Sequence, residues 1–353
     1  MSPARSVLVV DWLGRGGIAH CSEAWISAVA AGGADVRLAT RADRELDMAV
    51  PAVISSRTGA TGAVGAHLAL VSRLVRAVRR LHPDLVVLQN FVLPDIERAV
   101  VRAAHREGAQ VVLVAHEPGA PRRLPGGSRA LARLLREVDT LVVHSEFVGA
   151  RIASLCGRGD IVRIPLPLPV GLLARVGCAP PLVPMGDGPL GLHFGHLHRE
   201  YKGSDVFAAI SADPLPPWRF ALVGRGARAL AGETTESSVV DRFVTPDELV
   251  ATVAASDATV LPYRRASQSG AVVLAQAVGS VVLSTGVGGL AEQVVDGVNG
   301  LVLDVAAPVG DWRDRLGALA DPRARVPLAT EARRRVHEGH VEFTRFVSDL
   351  VSG

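Results

Sequence analysis

A chain of 353 residues that is 48% apolar and 21% charged has material for two ordinary α/β cores, which excludes both a disordered chain and a single small domain. Its net charge of +3 gives no reason to expect a nucleic-acid partner. Three cysteines, Cys21, Cys156 and Cys178, lie far apart without Cys-x-x-Cys or Cys/His ligand spacing, which argues against a disulfide framework and a structural zinc site.

Arg5 is followed by only a short apolar run, Ser6–Val10, before Asp11. This is far less than the hydrophobic region of an export signal, so a cytoplasmic protein is expected. The same run reads as a buried parallel strand, and the turn Gly14-Arg-Gly-Gly17 leads into an apolar-periodic helix over 19–31. Residues 36–39 continue as a strand, and 68–81 have the period of an amphipathic helix with arginines outward. Leu85–Leu88, 111–115 and 141–143 are nearly continuous Val/Leu runs with helical segments between them, the pattern of a parallel doubly wound sheet.

Residues 164–190 are rich in Pro and Gly and read as an interdomain linker. The alternation then restarts, with strands at Leu190–Phe194, Arg219–Val223, Ala258–Leu261, 281–284 and Leu301–Leu303 and helices at 204–211, 246–255 and Gly270–Val278. The uncharged stretch 266–291 is long enough to suggest a membrane span, but Gln268, Gln276 and repeated Ser, Thr and Gly mark it as a buried helix followed by a buried strand. Residues 322–351 read as helix throughout.

The expected fold class is α/β: two Rossmann-like doubly wound parallel-sheet domains facing across a cleft, 1–178 and 179–353, with the last helix (about 335–353) returning to the first domain. Ligands of open α/β sheets bind beyond the carboxyl ends of the strands, so the chemistry is sought in the loops that follow strands. Charge is uneven: residues 1–178 hold 22 Arg against 15 Asp and Glu, and residues 179–353 hold 16 Arg and Lys against 20. A first half at +7 and a second at −4 suit an anionic acceptor, or peripheral contact with an anionic lipid surface at the inner face of the membrane; solvated arginines on helix faces account for it equally.

The densest constellation is FGHLHREYKGSD, where a strand ends at Gly195, a loop carries His196, His198, Arg199 and the only lysine, Lys202, and Gly203-Ser204-Asp205 opens a helix. Two cations beside a helix N-terminus suit a diphosphate; an ordinary basic surface loop is the alternative. In LPYRRASQSGAVVLAQAVG, residues Ser267, Ser269 and Gly270 sit where a helix start leaves N–H donors, which makes a second anion or sugar cradle or simply a good N-cap. STGVGGLAEQVVDGVNG follows another strand, and its glycines allow a backbone to approach a ligand closely.

These segments together resemble the retaining glycosyltransferases of family 4, which have the GT-B fold. FGHLHREYKGSD is similar to the family's "FG…R.YKG.D" segment, LVGRGA to its "lvG.G" turn, and the run from ASDATVLPY to NGLVL to its donor signature, in a branch that reads SQSG. DWLGRGGIAH is similar to the family's N-terminal "GG.a" loop and VVLVAHEPGA to its "HE/HD" element. The resemblance implies a hexosyltransferase that takes a nucleotide-sugar, UDP-sugar before GDP-sugar, and retains anomeric configuration by front-face attack. It implies that Arg199 and Lys202 neutralise the donor diphosphate and that Gly16 and Gly17 approach it. It sets Gly195, Gly224, Phe243, Ser267, Ser269, Gly270, Ala271, Val272, Gly288, Gly289 and Glu292 on the donor. His116, Glu117 and Gly119 fall on the acceptor side, with His116 against the transferred sugar.

No Asp-x-Asp sequence lies in a suitable loop, so the paired cations are expected to stand in for a metal, and no cofactor is expected. The acceptor would be a saccharide, a lipid-linked saccharide or a small natural product. The paired glutamates of the family's donor signature fall here on Ala266 and Leu274, or on Ser267 and Ala275 in a register shifted by one, and the usual acid of the "GdG" turn is Arg225. Those losses motivate a second reading, a catalytically silent sugar-nucleotide-binding subunit. A UDP-sugar epimerase is a third, and it needs carboxylates in the cleft.

Overall fold

The computed structural model describes residues 4–41, 44–45, 52–56, 63–119, 127–184, 186–231 and 238–352. The chain divides into two compact units, Met1–Pro167 with His340–Gly353, and Leu168–Gly339.

The first unit runs β1 (Ser6–Val10), α1 (Gly16–Ala31), β2 (Asp35–Arg41), β3 (Ala52–Ser56), α2 (Ala63–Leu81), β4 (Leu85–Leu88), α3 (Pro94–Arg106), β5 (Gln110–Val114), α4 (Gly127–Glu137), β6 (Thr140–Val143), α5 (Glu146–Cys156) and β7 (Ile161–Arg163). Its seven strands are parallel, in the order β3-β2-β1-β4-β5-β6-β7. Leu8 and Val10 of β1 join one core with residues of α2, α3 and α4, while Val7 and Val9 join another with residues of α1. A strand covered on both faces needs apolar side chains at every position, and that is why β1, β4 and β5 read as continuous runs.

The second unit runs α6 (Val170–Leu173), β8 (Leu190–Phe194), α7 (Ser204–Ile210), β9 (Arg219–Val223), α8 (Ala227–Ala231), β10 (Ser238–Val240), α9 (Pro246–Ala254), β11 (Ala258–Leu261), α10 (Gly270–Val278), β12 (Val281–Thr285), α11 (Leu290–Gln293), β13 (Leu301–Leu303) and α12 (Val309–Ala318). Its six parallel strands are ordered β10-β9-β8-β11-β12-β13. The last helix, α13 (Pro322–Ser352), begins in the second unit and ends in the first, where Phe343 and Phe346 meet Trp25 edge-on at 5.5 and 6.1 Å.

Two expectations change. The boundary falls after Pro167, not at Cys178, and the Pro-rich stretch 164–190 is no slack linker: Leu172 and Val183 are buried in the second unit's core with Leu190, Val250 and Val272. Prolines remove backbone donors from such a stretch, but each leucine it buries is still worth about 1.5–3 kcal/mol. Strands β3, β7 and β10 were not expected; all lie at sheet edges, and β7 and β10 are only partly buried, so neither carries a continuous apolar run. The uncharged stretch 266–291 is, as expected, a helix and a strand, α10 and β12, and among the described residues no helix is long and apolar enough to cross a membrane.

Candidate functional site

The order of the second sheet reverses at β8, which has β9 on one side and β11 on the other, and such a switch point is where open α/β sheets take their ligands. There the two central strands part early. β8 and β11 pair only at Gly191 with Ala258 and at Leu192 with Thr259; beyond that point His193 spans the gap, Nδ1 to the Val260 carbonyl at 2.7 Å and Nε2 to the Ser204 hydroxyl at 2.9 Å. Burial pushes the His193 imidazole down to about 3, so the ring is neutral, with Nδ1–H donating and Nε2 accepting.

The basic loop is fixed onto this opening. Gly195 follows β8 at φ +119°, and a Cβ there would lie 3.3 Å from Lys202 Nζ, so the ammonium lies over the end of β8. Lys202 Nζ donates to the Tyr263 hydroxyl at 2.6 Å and stands 4.5 Å from that ring's centroid. Gly203 has φ +60°, and a Cβ there would be 1.9 Å from the Pro262 carbonyl oxygen; only glycine permits this approach. Arg264 closes the join from the other side: its N–H donates to the Tyr201 carbonyl at 2.7 Å and its guanidinium to the Glu200 carbonyl at 3.0 Å and Asp205 at 2.6 Å. Burial opposes the charge on Lys202, but the Tyr263 oxygen outweighs it and the net displacement is upward. The Lys202 side chain is thereby held as a cation. Arg199 lies exposed at the start of the short 3-10 turn Glu200–Lys202.

The other expected donor-side residues sit on neighbouring loops of the same edge. Gly224, after β9, has φ +132° and meets Gly195 backbone to backbone. Phe243 is 55% exposed between β10 and α9. Gly288 and Gly289 lead into α11, which carries Glu292 on its exposed side. At α10 the expectation needs correction. The Ser269 N–H is taken by Gln293 Oε1 at 2.7 Å, and Gln293 Nε2 returns to the Ser269 carbonyl at 3.2 Å. The donors that the start of α10 leaves outside its helical ladder are therefore the amides of Gly270, Ala271 and Val272, while the Val272 side chain belongs to the core. Ser267 remains partly buried in the loop before them. Gln276 and Asn299 both donate to the Gln293 carbonyl, so α10 and α11 share one polar bracket.

In the first unit the switch point lies between β1 and β4. Asp11, fully buried after β1, accepts from the N–H groups of Leu13 and Gly14 at 2.9 and 2.8 Å and from the Ser22 hydroxyl at 2.9 Å, which shapes the glycine turn. The Gly16 amide, expected to face phosphate, donates instead to the Glu45 carboxylate at 2.8 Å, because a carboxylate already satisfies the positive end of α1 there. Gly17 beside it is exposed, with open space at its Cβ position. His116, after β5, is buried; its ring lies 5.1 Å from that of His144 and hydrogen-bonds the Gln89 backbone. Burial, reinforced by His144, holds His116 well below the usual imidazole range, hence neutral. Glu117 is exposed and Gly119 half-buried on the loop that follows. Buried polar atoms without a hydrogen-bond partner among the described residues stand at the ends of β2 and β4: Thr40 Oγ1, which lies beside the Gly14 turn, both amide atoms of Gln89, whose backbone holds His116, and Asn90 Oδ1. Such orphans are costly unless a ligand or water completes them.

Sequence reasoning had not singled out Tyr263, His193, Gln293, Gln89 or Glu45. A polar residue directly after a continuous apolar run, as in Leu88-Gln89-Asn90, is the one local signal that would have found a member of this set.

Two Rossmann-like units, each with its polar groups gathered beyond the strand ends, define the GT-B class of α/β proteins. Residues 15–170 match the Glycosyltransferase Family 4 pattern and residues 188–321 the Glycosyl transferases group 1 pattern, so glycosyltransferase patterns cover most of both units. The fold is also that of sucrose-phosphate synthase from Thermosynechococcus elongatus (TM-score 0.76, 17% identity, 99% of each chain) and of Anabaena HepE in complex with UDP and glucose (TM-score 0.73, 16% identity, 99% of this chain and 100% of that one). Among curated relatives it is similar to the D-inositol 3-phosphate glycosyltransferase of Mycolicibacterium smegmatis, 26% identical over 279 residues. That match covers 74% of this chain and 62% of the relative's length. The corresponding protein of Nocardia farcinica is 29% identical over 248 residues, which cover 65% of this chain and 52% of the relative.

Proposed function

We propose that the chain is a retaining glycosyltransferase that moves a hexosyl group from a UDP-sugar to a hydroxyl of a saccharide, lipid-linked or natural-product acceptor, with no metal at the diphosphate. The observation that carries this reading is Lys202: one fixed ammonium, held by Tyr263 over the end of β8 at the switch point. When the glycosidic bond breaks, negative charge gathers on the β-phosphate, and a cation already in position stabilises it without reorganisation. Arg199 adds a second cation from the exposed side, and the amides of Gly270, Ala271 and Val272 offer donors to phosphate or sugar oxygens. In retention by front-face attack the departing phosphate takes the acceptor's proton, so no protein base is required. The neutral His116 and the orphan amide of Gln89 suit hydroxyls of the acceptor or the transferred sugar. HepE in complex with UDP and with UDP-glucose supports a uridine donor, and the inositol-phosphate relatives support a polyhydroxylated acceptor. The basic first half supports contact with an anionic membrane surface.

The test is a panel of sugar nucleotides. One of them at about a hundred times its Kd should stabilise the protein by about 2.7 kcal/mol and be slowly hydrolysed. Both effects should vanish in Lys202→Ala. Binding without hydrolysis or transfer would favour the silent subunit; no binding by any donor, with Lys202→Ala unchanged from wild type, would sink the donor site altogether.

A further inference from the structure

The sequence spacing of the cysteines argued against a metal, but folding assembles ligands from three separate places. Cys21 lies on α1, His116 follows β5 and His144 follows β6. All three are buried, and the cysteine sulfur and one nitrogen of each ring lie within 4.8 Å of one another. Cys21 Sγ to His144 Nε2 is 3.7 Å.

The outer contacts prepare both rings. His144 Nδ1 lies 3.1 Å from the Ile164 carbonyl, which fixes the tautomer with the proton on Nδ1 and directs the Nε2 lone pair at Cys21. The His116 ring is likewise anchored on the Gln89 backbone. An imidazole whose second nitrogen is held by a backbone carbonyl is the usual outer shell of a metal-bound histidine. Zinc–sulfur and zinc–nitrogen bonds of about 2.3 and 2.05 Å put tetrahedral ligands roughly 3.3–3.6 Å apart, so the 3.7 Å edge between Cys21 and His144 nearly fits, and the other two, no longer than 4.8 Å, would shorten on binding.

We infer that Cys21, His116 and His144 form a three-ligand site for a thiophilic divalent cation of the zinc type, with the fourth position open to water or a hydroxyl. Binding replaces the thiol proton, which leaves to solvent, so one proton is released for each ion bound. His116 and His144 each keep a residual exposure of 6% as residues, and Cys21 3%, so an ion would have to enter through a local opening. On the functional reading above, an ion there would draw His116 onto the metal and away from substrate.

Co²⁺ titrated anaerobically into the chelator-treated full chain, with no sugar nucleotide present, tests the site independently of that reading. The expected result is a thiolate-to-cobalt charge-transfer band in the near ultraviolet and intense visible bands of tetrahedral cobalt, saturating at one ion per chain and bleached by Zn²⁺. Cys21→Ser, nearly isosteric, should abolish the charge-transfer band, Cys178→Ser should keep it, and His144→Gln should weaken binding at least about tenfold. A wild-type spectrum without the band overturns the assignment, and this needs no variant to fold. A band that survives Cys21→Ser, which would trace it to Cys156 or Cys178, overturns it as well.

Discussion

Replacing Tyr263 by Phe deletes the oxygen that accepts from Lys202 and keeps the ring beside it. A hydrogen bond from a charged donor is worth about 1.5–3 kcal/mol, and its loss leaves a largely enclosed ammonium without an acceptor. At roughly 2–4 °C per kcal/mol for a unit of this size, the melting of Leu168–Gly339 should fall by about 3–12 °C. A nucleoside diphosphate offers the same ammonium new oxygens, so the deficit should shrink in saturating UDP. Thermal unfolding of wild type, Tyr263→Phe, Lys202→Met and the double variant, each with and without UDP, reads both effects. We expect a coupling of at least about 1 kcal/mol between the two sites in the free protein. Additivity to within about 0.5 kcal/mol would refute the idea that Tyr263 holds the cation in place.

At the start of α9, Thr245 and Glu248 form a capping box and Arg242 holds both carboxylate oxygens at 2.7 and 2.8 Å, so Thr245→Ala should cost about 1 kcal/mol in denaturant unfolding. Arg242 first, then the Thr245 N–H, depress Glu248 from 4.5 to about 2. Its contribution is therefore complete above about pH 4.5, declines as pH falls toward 2 and is absent below; Glu248→Gln should flatten that part of an acid-unfolding curve. Gly224→Ala would set a Cβ 2.0 Å from the Gly195 carbonyl oxygen in a backbone conformation that alanine disfavours, and should cost more than about 3 kcal/mol or abolish soluble expression. Phe343→Ala, although late in the sequence, should destabilise the first unit by about 3–5 kcal/mol, seen as earlier urea unfolding of the Trp25 environment.

The strands that build both sheets were legible because burial on two faces leaves short, mostly apolar runs, continuous Val/Leu in Leu85–Leu88 and interrupted by Gly, His, Arg or Thr in Leu190–Phe194, Arg219–Val223 and Ala258–Leu261, all of which begin and end where expected. The glycines of the basic loop were legible for a related reason: a strand-to-helix turn at a switch point needs positive φ, and Gly195 and Gly203 supply it. What could not be read were partners brought together by the fold. Lys202 stood out by composition, but Tyr263 is 61 residues away and nothing local pairs them. Gln293 reaching Ser269 and Glu45 reaching Gly16 are of the same kind, since a helix start announces its free amides but not which distant side chain will fill them. Edge strands such as β7 and β10 escaped because half-buried positions tolerate Arg and Ser, which blur the alternation.

The path of α13 bears on how this chain is made. Trp25 and the face of β1 that carries Val7 and Val9 are completed by Phe343, Val347 and Val351. A ribosome translating from the first residue must therefore pass through all of Leu168–Gly339 before those side chains exist. For that interval the first unit emerges with one apolar face uncovered, while the second can close its own core as soon as it clears the exit tunnel. The nascent protein should thus be a client for chaperones that shield apolar surface, and a stop codon placed just after Gly339 should yield an intact second unit attached to an aggregation-prone first one.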